Sequence, residues 1–135
     1  MRAQSAKAAS VTAAEVDINY ILDERARELY AEEPRKTELT RIAFIMADNN
    51  KFGYTIGSFS TKNYWYDRVM EKNSFYKAGN ILWGTNVYKM SPFHVLWPIL
   101  ASAIESNAGG VINQNIGYIG SEKNKAPLTV IDDKQ

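Results

Sequence analysis

The chain has 135 residues, 45% of them hydrophobic and 23% charged, with a net charge of +1 at neutral pH. That composition suits a globular chain long enough for one domain, and its near-neutral balance gives no electrostatic case for nucleic acid or an anionic membrane surface. There is no cysteine, which excludes disulfides, thiol catalysis and thiolate metal sites together and leaves the redox compartment undetermined.

Residues 1–11 are rich in Ala, Ser and Lys and weakly patterned, a lead-in rather than an element. Their positive charge is not followed by the apolar run of about 7–15 residues that a signal peptide needs. No stretch of the chain approaches the roughly 20 apolar residues that span a bilayer. Thr12-Ala13-Ala14-Glu15 reads as a capping box. It predicts a helix from there to about Glu32, stopped soon after by Pro34. Stepped at about 100° per residue, Ile18, Ile21, Leu22, Arg25 and Leu29 share one face, with Arg25 near its centre. Glu28 and Glu32 lie one and two turns further along. A guanidinium on a core-facing stripe is tolerable only when paired. Arg25 is therefore expected to be buried and bonded to Glu28, to Glu32 or to an acid of the next helix; the plainer alternative is a solvated charge run.

A second helix is predicted from about Thr37 to Asp48-Asn49-Asn50, with Leu39, Ile42, Ala43 and Met46 on one face. Phe44 and Ile45 fall off that stripe, and Tyr20 and Tyr30 sit beside the first one, so apolar groups are left for an interface or for self-association. Two amphipathic helices joined by a few residues make an antiparallel hairpin. Residues 12–50 are accordingly read as one hairpin, compatible with a tetratricopeptide-like repeat of which no second copy is visible.

Residues 51–120 read as one further helix within loop-rich sequence. Gly53 and Gly57 punctuate an irregular stretch, and a third helix is predicted over about Lys62–Asn73, with Trp65 beside Val69 and Tyr64 beside Arg68. Gly79 and Gly84 argue for loops between Phe75 and Pro92, with a short extended piece at Asn86–Lys89. Pro92 and Pro98 bracket an apolar run that cannot be a long helix. Ser102–Ser106 predicts one or two helical turns, and residues 121–135 a polar, mobile tail.

Little of this sequence carries chemistry. Asp67 and Glu71, at i and i+4, are the first carboxylate pair to weigh for glycoside hydrolysis. Arg68 and Lys72 interleave with them, as on an exposed ion-paired helix face, and Asp132-Asp133 falls in the tail. His94 is the only histidine and has no imidazole partner for a metal or a proton relay; it reads as a partly buried residue bonded to backbone. No phosphate loop, nucleophile elbow or zinc spacing occurs, and no cofactor or metal is expected. Aromatic side chains are the better lead. Trp65, Tyr66, Tyr76 and Trp83 lie in or beside loop-rich sequence, where a sugar ring could stack on them. Trp65 and Trp97 read first as core. Tyr66 and Trp83 remain open between core, partner interface and ligand surface.

The run Asn19-Tyr20-Ile21-Leu22-Asp23-Glu24-Arg25-Ala26-Arg27-Glu28-Leu29-Tyr30, then Arg35 and Leu39-Thr40-Arg41, resembles a motif of the SusD/RagB family of nutrient-uptake proteins from Bacteroidetes. His94-Val95-Leu96-Trp97-Pro98-Ile99, Ala103–Asn107 and Asn113-Gln114-Asn115-Ile116-Gly117-Tyr118 resemble the stretch that closes that family's mature proteins, and Asn63–Val69 fits as well. The resemblance spans nearly the whole chain and corresponds to the C-terminal part of a typical, much longer member. Leu100 and Ile116 stand where prolines are usual, which loosens two turns without touching chemistry.

The resemblance implies a mainly α, partial SusD-like fold: a tetratricopeptide-like hairpin followed by a loop-rich C-terminal segment. It implies non-catalytic capture of oligosaccharides or other nutrients at the outer-membrane surface, handed to a TonB-dependent SusC-like transporter over which the protein acts as a lid. Members are lipoproteins anchored through a cysteine after a signal peptide. Neither feature is present in this sequence, so Met1 is read as the start of a fragment or of a shortened reading frame. On this reading the segment is mainly scaffold. Arg25, Glu28, Glu32 and Arg41 are its ion-pair residues, and Trp97 and Pro98 are the packing anchors that lock the chain end. The family's glycan contacts come mostly from other segments, so no binding residue is transferred; Tyr66 and Trp83 stand as candidates on their own chemistry. Two other readings are a helical-repeat adaptor, which needs an exposed groove, and a small glycoside-active enzyme, which needs an acid pair in one cleft.

Overall fold

A computed structural model of the chain describes residues 11–73 and 81–125; Tyr76, Gly79 and Asp132-Asp133 lie outside them. The described fold is mainly α, with a single two-stranded sheet. It divides into two compact units, residues 1–37 and residues 38–135.

In the first unit the Thr12 box forms but opens only a 3-10 turn, Ala13–Glu15. The Glu15 carboxylate accepts from the Thr12 N–H at 2.8 Å and from its hydroxyl at 2.7 Å, and these bonds hold the Glu15 carboxyl below its ordinary pKa. Val16 then turns extended, and the helix restarts at α1 (Ile18–Glu28), where the Asp17 carboxylate accepts from the Tyr20 N–H at 2.7 Å. A cap at Asp17 outweighs the upstream box because it satisfies an amide that begins a full helical repeat. The far end also corrects the expected span. α1 stops at Glu28, and a turn follows in which Ala31 has φ +66°. Leu22 is the only residue of α1 that is fully buried.

In the second unit α2 (Arg35–Asp48, its first turn crossing the boundary) buries Glu38, Leu39, Ala43, Met46 and Ala47. Ile42 is half-buried, whereas Phe44 and Ile45 are exposed, as their place off the stripe requires. Two 3-10 turns, Lys51–Gly53 and Ile56–Ser58, lead to α3 (Tyr64–Lys72). Asn63 caps α3 and is fully buried. Its Oδ1 accepts from the Tyr66 N–H at 2.8 Å, while its Nδ2 donates to the carbonyls of Phe59 at 2.7 Å and Pro92 at 2.9 Å. One side chain thus starts a helix and ties it to both flanking loops.

α3 buries Tyr64, Trp65 and Arg68. Phe44 and Phe59 stack with centroids 4.2 Å apart. Tyr54 donates its hydroxyl to Asp67 at 2.8 Å; burial first, and that bond second, push its pKa up to about 12. β1 (Ile81–Trp83) and β2 (Asn86–Tyr88) pair antiparallel, with Leu82 opposite Val87 and Trp83 opposite Asn86. Gly84, at φ +58°, supplies the left-handed residue that a two-residue turn needs. The extended piece expected at Asn86–Lys89 is β2; β1 went unseen because three residues carry too little alternation. A 3-10 turn at Pro92–Val95 and α4 (Ala101–Glu105) complete the ordered elements before Ser121–Lys123.

Candidate functional site

Two features of the second unit are built from side chains whose placement the backbone alone does not explain: an amide clasp at residues 96–125, and an aromatic hairpin.

The clasp begins with Pro92, which opens the turn holding Val95, 2% exposed. The Val95 carbonyl accepts from the Thr40 hydroxyl of α2 at 3.3 Å. After Val95 the chain runs without ladder partners through Trp97-Pro98-Ile99, and Pro98 has no N–H to offer. Buried or half-buried peptide groups must still be satisfied. Here the partners are primary amides. Gln114, 8% exposed, accepts from the Ile99 N–H and donates to the Ile99 carbonyl, both at 2.8 Å. Asn124 does the same for the backbone of Gln114, at 2.8 and 2.7 Å. Asn113 does it for Lys125, at 3.0 and 2.7 Å. Each amide presents one donor and one acceptor side by side, so it pairs with a residue's peptide groups as a neighbouring strand would. Asn115 Nδ2 adds a bond to the Trp97 carbonyl and Tyr118 Oη one to Leu96, each at 2.7 Å.

Gly117 lets this assembly close. Its φ is +98°, and a Cβ there would lie 2.4 Å from Cγ of Phe93. The Phe93 ring meets Tyr118 edge-on at 5.1 Å. His94 Nδ1 accepts from the Ser91 N–H at 2.9 Å, so the lone histidine is half-buried and bonded to backbone.

The hairpin displays rather than buries its side chains. Trp83 is 77% exposed, and Leu82, Val87 and Tyr88 are exposed with it. From the register, Trp83, Asn86 and Tyr88 share one face, and Leu82 and Val87 the other. An indole, an amide and a phenol on one open face can together offer a flat apolar contact and hydrogen bonds at its edge.

A model of the SusD family matches residues 2–118. The chain belongs to the SusD family. Comparison with curated proteins and with solved structures gave no match. Membership in the SusD family implies binding of nutrients, glycans among them, for uptake. Among the described residues no helix is long and apolar enough to cross a membrane.

Against the expectations for a SusD-family scaffold, several residues sit elsewhere. Arg25 is bonded to Glu33, at 2.5 Å, with 40% of its side chain exposed. Glu33, beyond the turn at Ala31, takes that place, while Glu28, the last residue of α1, and Glu32, beyond it, are exposed. Arg41 is exposed as well. The deeply buried guanidinium is Arg68, 5% exposed and 2.6 Å from Glu71, on a face that its alternating charges mark as solvated. Trp97 and Pro98 are not packing anchors: both are exposed, Trp97 at 73%. Val95 is buried by the 3-10 turn that ends at it, and past that turn the Leu96 and Trp97 carbonyls are bonded to Tyr118 and Asn115 while the indole is left exposed. Residues 121–125 are held by the Asn113 and Asn124 bonds rather than forming part of a loose tail. Trp65 is core, at 5% exposed. Tyr66 is half-buried on α3 and Trp83 is on the hairpin. Asn63, Gln114 and Asn124 organise the unit without any helical or strand pattern to mark them; the density of amides in Asn113-Gln114-Asn115 is the one signal the sequence carries.

Proposed function

We propose that this chain is part of a nutrient-capture protein at the outer-membrane surface that binds oligosaccharide without catalysis and passes it to a TonB-dependent SusC-like transporter. The observation that carries the binding half of this reading is the exposed Trp83 face with Asn86 and Tyr88 beside it. The C–H groups of a pyranose carry partial positive charge and suit the electron-rich face of an indole, while the neighbouring amide and phenol suit its hydroxyls. Tyr66 is the second candidate contact, with less of its ring open. α1 and α2 each serve as helical scaffold, and within the second unit the amide clasp fixes the chain after α3.

The state of the acidic pair supports a non-catalytic role. Asp67 accepts from the Tyr54 hydroxyl and Glu71 is bonded to Arg68, so each carboxylate is already engaged in holding α3. The test is a panel of oligosaccharides screened by calorimetry, with the solutions analysed afterwards for released sugar. Binding heat with every oligosaccharide intact is expected. Sugar release that vanishes in an Asp67→Asn, Glu71→Gln double variant would make the chain an enzyme.

A further inference from the structure

The turn that seats Val95 is closed by a group whose hydrogen-bonding character changes near neutral pH. Ser91 caps the 3-10 turn Pro92–Val95, and His94 stands three residues later, where a capping box ordinarily has Glu or Gln. Its Nδ1 accepts from the Ser91 N–H at 2.9 Å, and the His94 N–H donates to the Ser91 carbonyl at 3.1 Å. A backbone N–H can only donate, so the first bond exists only while Nδ1 is unprotonated and the other ring nitrogen carries the proton. Gln keeps its acceptor at every pH, and Glu keeps one throughout mild acid. Histidine, with an ordinary pKa of ~6.5, loses the acceptor there.

The imidazole is packed, and the turn around it is pinned at both ends. Its ring centre lies 4.3 Å from that of Phe93 and 5.9 Å from that of Tyr118. Asn63 holds the Pro92 carbonyl at 2.9 Å, Thr40 the Val95 carbonyl at 3.3 Å and Tyr118 the Leu96 carbonyl at 2.7 Å. A protonated Nδ1 would therefore meet the Ser91 N–H donor against donor. Among the described residues, the charges on the elements packed here balance. α3 carries two acids, Asp67 and Glu71, and two bases, Arg68 and Lys72. α2, which reaches the turn through Thr40, carries Glu38 and Arg41 within one helical turn of it. Tyr118 is neutral throughout this range, its phenol pKa raised by burial.

We propose that His94 makes this turn a pH-sensitive latch. Neutral, it closes the turn that seats Phe93 and Val95; protonated in mild acid, it releases the Ser91 end and weakens the clasp anchored there. Folding then lowers the imidazole pKa below its unfolded value of ~6.5. The unfolded chain binds the proton more tightly, so the stability is fully present above pH ~6.5 and is lost as pH falls through that value towards the folded pKa. This inference is independent of the glycan reading, since it uses neither the Trp83 face nor the transporter.

Nuclear magnetic resonance of the purified chain between about pH 7.5 and pH 5 tests it, beside thermal melts of the wild type and His94→Gln. The His94 ring should titrate about one unit or more below ~6.5, and the Ser91 amide shift should follow the same curve. Gln is chosen because it returns an acceptor to the Ser91 N–H and does not titrate. Over that range the wild-type Tm should fall roughly 4–6 °C further than that of His94→Gln, as one unit of pKa depression implies. A ring titrating at or above ~6.5 would overturn the proposal. So would a Ser91 amide indifferent to the His94 titration, or an acid loss of Tm equal in the two proteins. The wild-type titration decides the matter by itself should His94→Gln not fold.

Discussion

Replacing Gln114 with Leu keeps most of the side-chain volume and deletes both the donor and the acceptor that read Ile99. The amide makes 2.8 Å bonds to the Ile99 N–H and carbonyl and accepts from the Asn115 N–H at 3.0 Å. Each such bond has a net worth of ~1 kcal/mol, rising to ~1–3 kcal/mol where the abandoned partner stays out of water. Ile99 is half-buried, so the expected loss is ~2–4 kcal/mol. For a chain of this length that is a fall in Tm of roughly 3–5 °C per kcal/mol. Gln114→Glu sharpens the test. Its ionised carboxylate can still accept from the Ile99 N–H but faces the Ile99 carbonyl with no proton to donate. Burial and that opposition raise the carboxyl's folded pKa above its unfolded value of about 4.3. The folded state then holds the proton more tightly, so the deficit against wild type should be smallest below that unfolded value. It should grow as pH rises through the folded pKa. Thermal melts of the three proteins at several pH values read both effects. A Gln114→Leu protein melting within a degree or two of wild type, or a Gln114→Glu deficit independent of pH, would refute the clasp.

Gly117→Ala should destabilise the fold by ~2–4 kcal/mol, measured by urea denaturation, because it meets both the Phe93 ring and a φ of +98°. Arg25→Ala should cost ~1 kcal/mol or less, since its pair with Glu33 is half in solvent. Arg68→Ala should cost clearly more, ~1–3 kcal/mol by the same melts, through the lost packing of its buried stem; the reverse order would restore Arg25 as the buried cation. Tyr54 should titrate near 12 in an alkaline ultraviolet scan. Asp67→Asn should lower that value while burial keeps it above 10. Because the folded state holds this proton more tightly than the unfolded chain, the stability it contributes is present below pH ~10 and lost as pH climbs towards the folded value.

What the sequence disclosed were the features set by local pattern. The α2 stripe, the α4 turns and the position of α3 follow from periodicity and punctuation within one element. The helix hidden behind Thr12 was misplaced because two caps compete within six residues, and only the Asp17 cap leads into a repeat that buries Leu22. Arg25 and Arg68 exchanged roles for a related reason. A helical wheel shows which residues share a face, whereas burial depends on what lies against that face, which for Arg68 is set by loops distant in sequence. The WPI block was recognised as an end-piece, but its purpose lies in its carbonyls rather than in its tryptophan. Backbone acceptors leave no mark in a sequence; the amides that satisfy them do, and Asn113, Gln114, Asn115 and Asn124 are that mark. Trp83 remained open on the sequence because a three-residue strand has too short a period to assign a face.

Calorimetric titration of an oligosaccharide that binds the wild type, repeated with Trp83→Ala and Trp97→Ala, tests the proposed capture site most directly. Both tryptophans are largely exposed, at 77% and 73%, so neither substitution should unfold the chain and Trp97 serves as the control. The account predicts that Trp83→Ala weakens binding about tenfold or more, equivalent to ~1.4 kcal/mol, while Trp97→Ala binds as the wild type does. Wild-type affinity in Trp83→Ala would contradict it.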